Sequence, residues 1–197
     1  DINLENFDKI KNKLKKQGLK YSMDSIKLDL KNLGITHDKF FSETTLVKNK
    51  SVEKVIKILK KKNLIEEGYL DPPKGEDNKN WKKVKRLIFK SSLFGDDTNR
   101  ALTKNDNTWT YFANDLAYHS NKVSRKYDYL INILGADHAG YIRRISSAVN
   151  ALSKKENILI CKVCQLVKLI KNGQPYKMSK RKGDFIEIKD VLNEVGK

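Results

Sequence analysis

Lys177 and Lys180 stand three positions apart around Met178 and Ser179, with Arg181 next, so several cationic groups can converge on one anionic centre. Such a cluster neutralises charge that builds up during phosphate chemistry. Gln174-Pro175-Tyr176 precede it and Lys182-Gly183-Asp184-Phe185 follow, which sets the cluster between an Asn172-Gly173 turn and a glycine able to hinge, the layout of a mobile lid. On charge alone a solvated loop is the simpler explanation, because the chain holds 41 Lys and Arg residues.

Two further groupings could carry chemistry. Gly135-Ala136-Asp137-His138-Ala139-Gly140 follows an apolar run at 129–134 and precedes an amphipathic stretch at 141–152. The carboxyl end of a strand is where ligands sit in open α/β sheets. Asp137 and His138 could hydrogen-bond ribose hydroxyls or an adenine edge; equally, Gly135 and Gly140 suit a turn and Asp137 an N-cap, and position alone leaves the two even. Tyr111 and Asp115 fall on one face if 110–119 is helical. A carboxylate accepts a guanidinium bidentately, and a phenol adds directional selection that rejects lysine. By spacing alone, a packed aromatic and a surface carboxylate or cap are the commoner outcomes. The pair Cys161 and Cys164 could be half of a four-ligand cluster or a redox pair, but no second pair exists and His37, His119 and His138 are scattered, so strand positions are expected and no metal centre.

The elements that must position these groups follow from periodicity. Phe7, Ile10 and Leu14 mark one helix before Gly18, and Ile26, Leu30 and Leu33 a second before Gly34, each glycine a stop. A third helix starts with Ser51 as N-cap and carries Val52, Val55, Ile56 and Leu59 inward. Residues 64–94 change character, with alternation at 85–90 marking a strand-rich insertion whose turns fall at 71–80 and 103–107. The remainder alternates: helix at 113–121, strand at 129–134, helix at 141–152 and strand at 163–169, an order that suggests a parallel sheet. No Walker loop or dinucleotide fingerprint occurs, so phosphate handling falls to the Lys177 loop.

The composition excludes several classes. With 39% hydrophobic and 33% charged residues over 197 positions, the chain can bury the core of one ordinary domain or two small ones and is not disordered. A formal charge of +17 attracts polyanions and makes nucleic acid the natural partner. No apolar run is long enough to span a bilayer, so no membrane role is assigned. The absence of a disulfide framework and of a signal-peptide pattern makes the cytoplasm the default compartment, and a start at Asp1 reads as a fragment or a processed end.

Three motifs together carry a family resemblance. Lys177-Met178-Ser179-Lys180 is similar to the signature loop of class I aminoacyl-tRNA synthetases, and Arg181-Lys182-Gly183-Asp184-Phe185 resembles the Arg-Ala-Gly-Asn-Phe of the arginine enzymes. The run from Gly135 through His138 to Gly140 and Tyr141 resembles their Gly-Ala-Asp-His-x-Gly-Tyr at the ATP site. Residues 109–119 resemble their arginine-recognition helix, written around Thr-Tyr-Phe-x-x-Asp-x-Ala-Tyr-His. Phe94-Gly95-Asp96-Asp97 and Tyr69-Leu70-Asp71-Pro72-Pro73-Lys74-Gly75 look like parts of the insertion of bacterial-type members.

The resemblance implies an α/β fold: the second half of a Rossmann-like class I synthetase nucleotide-binding fold with a small strand-rich insertion and N-terminal helices. Residues 1–38 would be a helical segment of the catalytic region, 39–107 a small α+β connective insertion, and 108–197 the C-terminal half of the nucleotide-binding domain. It implies ATP with Mg²⁺, L-arginine and tRNA(Arg) as ligands. Lys177 and Lys180 would be catalytic, stabilising the leaving pyrophosphate; Gly135, Asp137, His138, Met178 and Ser179 would bind ATP, and Tyr111 and Asp115 arginine. The His-x-Gly-His of this class does not occur in the sequence, and neither does an anticodon-binding domain, so a fragment inactive alone is expected. The rival is a non-catalytic basic RNA-binding module derived from a synthetase, in which the +17 charge acts by itself.

Overall fold

A computed structural model describes residues 4–71, 83–153, 155–171, 173–175 and 186–196. Its contacts divide the chain into one unit of Asp1–Phe40 with Lys168–Lys197 and a second of Phe41–Val167.

The first helix, α1 (Leu4–Asn32), runs straight through Gly18, where a stop was expected. Glycine in a helix interior costs only about 1 kcal/mol relative to alanine, and the lysines and leucines around it favour the helix. Gly34 does end it. Its φ of 73° turns the chain left-handed, and the Gly34 and Ile35 amides donate to the Lys31 and Leu30 carbonyls at 3.0 and 2.8 Å, closing the last turn.

The second unit opens with α2 (Glu43–Lys48) and α3 (Ser51–Lys61). Ser51 is the first helical residue and not the N-cap; the cap is Lys50, at φ 49°, with no side-chain bond. The short link from α2 needs a left-handed residue there, which moves the helix start by one position. Val52, Val55, Ile56 and Leu59 point inward as their spacing requires. Strands β1 (Ile65–Gly68), β2 (Arg86–Phe89) and β3 (Arg100–Ala101) form an antiparallel sheet in that order, with Ile65 opposite Phe89.

Next come α4 (Tyr111–Ser124), β4 (Leu130–Gly135), a 3-10 turn (Ala136–Tyr141), α5 (Ile142–Leu152) and β5 (Leu159–Cys164). Strands β4 and β5 are parallel, paired from Leu130–Leu159 to Gly135–Cys164, so this is a mixed α/β fold with a helix crossover between parallel strands. The second strand was expected at 163–169. The apolar run from 158 to 170 offers two windows of similar propensity, and the pairing with β4 selects the earlier one, leaving Leu166 and Val167 exposed. Cys161 and Cys164 lie on β5 as free thiols. In the first unit the chain continues with β6 (Ile170–Lys171) and β7 (Gln174–Pro175), an antiparallel pair, and α6 (Ile188–Val195). No described helix is long and apolar enough to cross a membrane.

The core of the second unit gathers Leu59, Phe89, Leu102, Phe112, Ala113, Leu116 and Ala148. A smaller cluster of Leu130, Val149 and Ile158 seats α5 against the parallel strands, while Ile131 and Ile133 of β4 are exposed. Between α4 and β4 runs a polar seam. Lys122 Nζ donates to Asn132 Oδ1 at 2.5 Å, the Asn132 amide lies 3.0 Å from His119 Nε2, and His119 Nδ1 lies 2.9 Å from the Asp115 carbonyl. This pattern is satisfied by a neutral imidazole that donates from Nδ1 and accepts at Nε2. Burial, outweighing the carbonyl bond, holds the His119 imidazole below its ordinary 6.5, and the Lys122 charge acts in the same direction.

Two outcomes follow from this packing. Leu116→Ala should lower unfolding stability by about 3 kcal/mol in urea titrations, whereas Leu14→Ala on the exposed part of α1 should change it by less than about 0.5 kcal/mol. Because His119 resists protonation only when folded, its contribution is complete above pH 6.5 and is lost as pH falls below that value. The urea midpoint should therefore drop between about pH 7.5 and about pH 5.5, and His119→Gln should reduce that drop.

Candidate functional site

Thr110 fixes the start of α4. Its Oγ1 accepts the Ala113 amide at 3.2 Å and donates to the Ala101 carbonyl at 3.1 Å, which ties the helix N-terminus to β3. With Phe112, Ala113, Leu116 and Ala117 buried, the neighbouring stripe presents Tyr111 and Asp115. Tyr111 is 85% exposed, and its ring lies under the Lys104 ammonium at 5.7 Å. Asp115, one turn on, is half-buried, and the Tyr141 hydroxyl donates to its Oδ2 at 2.6 Å.

Gly135 ends β4, and the 3-10 turn that follows carries Asp137 and His138. A Cβ at Gly135 would sit 2.6 Å from Asp137 Oδ1, a contact that the exposed Asp137 side chain relieves by turning away, so Gly135 keeps the carboxylate close to the strand end. Asp137 Oδ2 and His138 Nε2 are 3.6 Å apart and both side chains are exposed. The turn therefore presents a carboxylate and an imidazole at the carboxyl end of a parallel strand, the position expected from the sequence. Among the described residues no group of three His, Cys, Asp or Glu side chains converges to hold a metal ion.

Tyr141 closes the turn and joins it to α4, a role that local spacing does not reveal: it is the last letter of the strand-end motif, yet its partner is 26 residues away. Burial and then the Asp115 hydrogen bond push its phenol well above the usual range, so it remains a donor. The Arg144 guanidinium lies 4.9 Å from its ring centroid. Nearby, Arg100 Nε and Nη2 donate to Asp96 at 2.8 and 2.6 Å, with a further short bond to Asp97. Burial alone would raise the Asp96 carboxyl, but side-chain hydrogen bonds from Arg100 and Asp97, the Arg100 charge and a bond from Ser91 outweigh it and hold it well below the ordinary carboxylate range. The segment around Gly95 is thus a braced structural turn beside the site.

Of the residues singled out from the sequence, Asp115 and the turn bearing Gly135, Asp137 and His138 are joined through Tyr141, and Tyr111 lies one helical turn before Asp115. Lys177, Met178, Ser179 and Lys180 lie outside the described residues.

No family model matches the chain. It is 58% identical over 194 residues to an arginine–tRNA ligase of Pelagibacter ubique, a match that covers 97% of this chain and 34% of that protein. An arginine–tRNA ligase of Roseobacter denitrificans is 50% identical over 174 residues, covering 88% of this chain and 30% of that one. A solved structure assigned as an arginyl-tRNA synthetase of Campylobacter jejuni superposes with a TM-score of 0.73 at 32% identity, over 98% of this chain and 38% of that one. The chain thus spans about a third of the length of the curated relatives it matches. In sequence along nearly its whole length, and in fold, the chain is similar to a segment of about a third of an arginyl-tRNA synthetase.

Proposed function

We propose that this segment supplies the arginine-reading helix, the nucleotide turn and the pyrophosphate loop of an arginine–tRNA ligase. The observation that carries the proposal is the Asp115 carboxylate, held in place on α4 beside the strand-end turn. In the reaction, a carboxylate oxygen of arginine attacks the α-phosphate of ATP and the bond to the departing pyrophosphate breaks; the arginyl group then passes to tRNA. Asp115 reads the guanidinium through charge-assisted bonds, and Tyr111 adds a hydroxyl on the same helix face. Gly135 lets the nucleotide approach the backbone, with Asp137 and His138 as its polar partners. Lys177 and Lys180 neutralise charge on the departing pyrophosphate, Met178 and Ser179 bind ATP, and Mg²⁺ enters as the counter-ion of ATP.

The parallel β4–β5 pair with its α5 crossover supports the second half of a Rossmann-like class I nucleotide-binding fold. We retain the division at 38 and 107 as the family layout, with 39–107 a connective insertion. The excess of 41 basic over 24 acidic residues suits tRNA(Arg) as the partner, and the remaining two thirds of a full-length ligase would supply the His-x-Gly-His half and the anticodon-binding domain.

In a full-length arginine–tRNA ligase carrying these residues, Asp115→Asn should raise the KM for arginine by roughly tenfold or more while the KM for ATP changes little. Lys180→Ala should lower kcat for ATP–pyrophosphate exchange by roughly a hundredfold. Unchanged arginine kinetics in the first variant would remove the recognition role, and unchanged kcat in the second would remove the lid.

A further inference from the structure

Asp115 approaches the site from α4, whereas the nucleotide turn approaches it at the end of β4, and the Tyr141–Asp115 hydrogen bond directly joins the two segments. Tyr141 is well placed to hold that geometry. Its ring packs against the core that also buries Phe112, Ala113 and Leu116 of α4, and Arg144 covers it at 4.9 Å, so the hydroxyl is delivered from a fixed ring. A carboxylate offers about four lone-pair sites, of which the tyrosine uses one on Oδ2. Among the described residues the rest stay available, enough for a planar, two-pronged donor.

We propose that Tyr141 is a positioning residue for arginine recognition: its hydroxyl sets the rotamer of Asp115 so that the free edge of the carboxylate faces the guanidinium, at a fixed offset from the nucleotide turn. The inference rests on the reading of Asp115 as the arginine-binding carboxylate. An untethered aspartate could swing through its side-chain rotamers and would have to be ordered by the substrate itself, at a cost in affinity. The tether removes that cost before arginine arrives. It also explains a tyrosine at the end of this turn, where backbone geometry alone demands no aromatic residue. Ionisation does not undermine the role, since burial and the carboxylate keep the phenol protonated.

The test uses a full-length arginine–tRNA ligase carrying these residues, with Tyr141→Phe and Asp115→Asn measured side by side for arginine, ATP and kcat. Tyr141→Phe keeps the ring and its packing and removes only the donor. It should raise the KM for arginine about tenfold, with kcat and the KM for ATP within about twofold of the parent, because a hydrogen bond to a charged group is lost while the nucleotide turn is kept. In the double variant, adding Tyr141→Phe to Asp115→Asn should cost little more than Asp115→Asn alone. If Asp115→Asn raises the KM for arginine and Tyr141→Phe leaves it within twofold, the positioning role is overturned and the reading of Asp115 stands. If Asp115→Asn itself leaves arginine kinetics unchanged, the reading of Asp115 falls and takes this inference with it. Parallel rises in the KM values for ATP and arginine after Tyr141→Phe would assign the hydroxyl a general structural role and overturn the proposal.

Discussion

Helices ordinarily meet sheets through aliphatic side chains, which slide past one another at little cost. Here α4 meets β4 through Lys122, His119 and Asn132, and the Asp115 carbonyl accepts the far end of the chain. Each of these groups is desolvated to some degree, so each needs its partner, and a shift of the helix by one residue would leave several unsatisfied at once. The seam therefore fixes both the rotation and the height of α4 on the sheet. Asp115 lies at one end of that seam, and its carboxylate inherits the placement. The apolar stripe of Phe112, Ala113, Leu116 and Ala117 supplies the adhesion, and the polar stripe supplies the register.

Charge around Tyr141 is balanced in a similar way. Arg100 and Arg144 both favour ionisation of the phenol, while burial and Asp115 oppose it more strongly. Arg100 is in turn committed to Asp96, a carboxylate almost removed from solvent. A cation that has a partner of its own can stand close to Tyr141 without competing for the Asp115 carboxylate. The braced turn beside Gly95 thus supplies structure next to Tyr141 and Asp115.

Much of the placement of the candidate site could be read in the sequence because its signals are local. A strand followed by Gly135 and a helix, and a tyrosine one turn before an aspartate, need only short-range periodicity. The same periodicity placed Val52, Val55, Ile56 and Leu59 in the core and Gly34 at the end of α1. What it missed depends on partners distant in sequence. Gly18 does not stop α1, because propensity is summed along a helix and one glycine among good formers does not break it. Strand β5 starts at residue 159 and not at 163 because of its pairing with β4, which the local pattern does not contain. Ser51 lost the cap to a left-handed lysine that the link from α2 requires. Tyr141 and Asp115 meet through tertiary folding, which no spacing rule over a few residues anticipates.

Ile131 and Ile133, 58% and 64% exposed on β4, have a colloidal consequence. Two branched aliphatic side chains on the open face of a strand are adhesive toward a second copy of the same surface. The +17 charge opposes that encounter, because like-charged molecules repel before their apolar patches can touch. This protection reaches only as far as the Debye length, ~10 Å at 0.1 M salt and shorter above it. Added salt, which usually helps a basic protein shed bound nucleic acid, would here also bring the isoleucine faces within reach of one another, so the two demands set opposing limits on the ionic strength at which the chain stays dispersed.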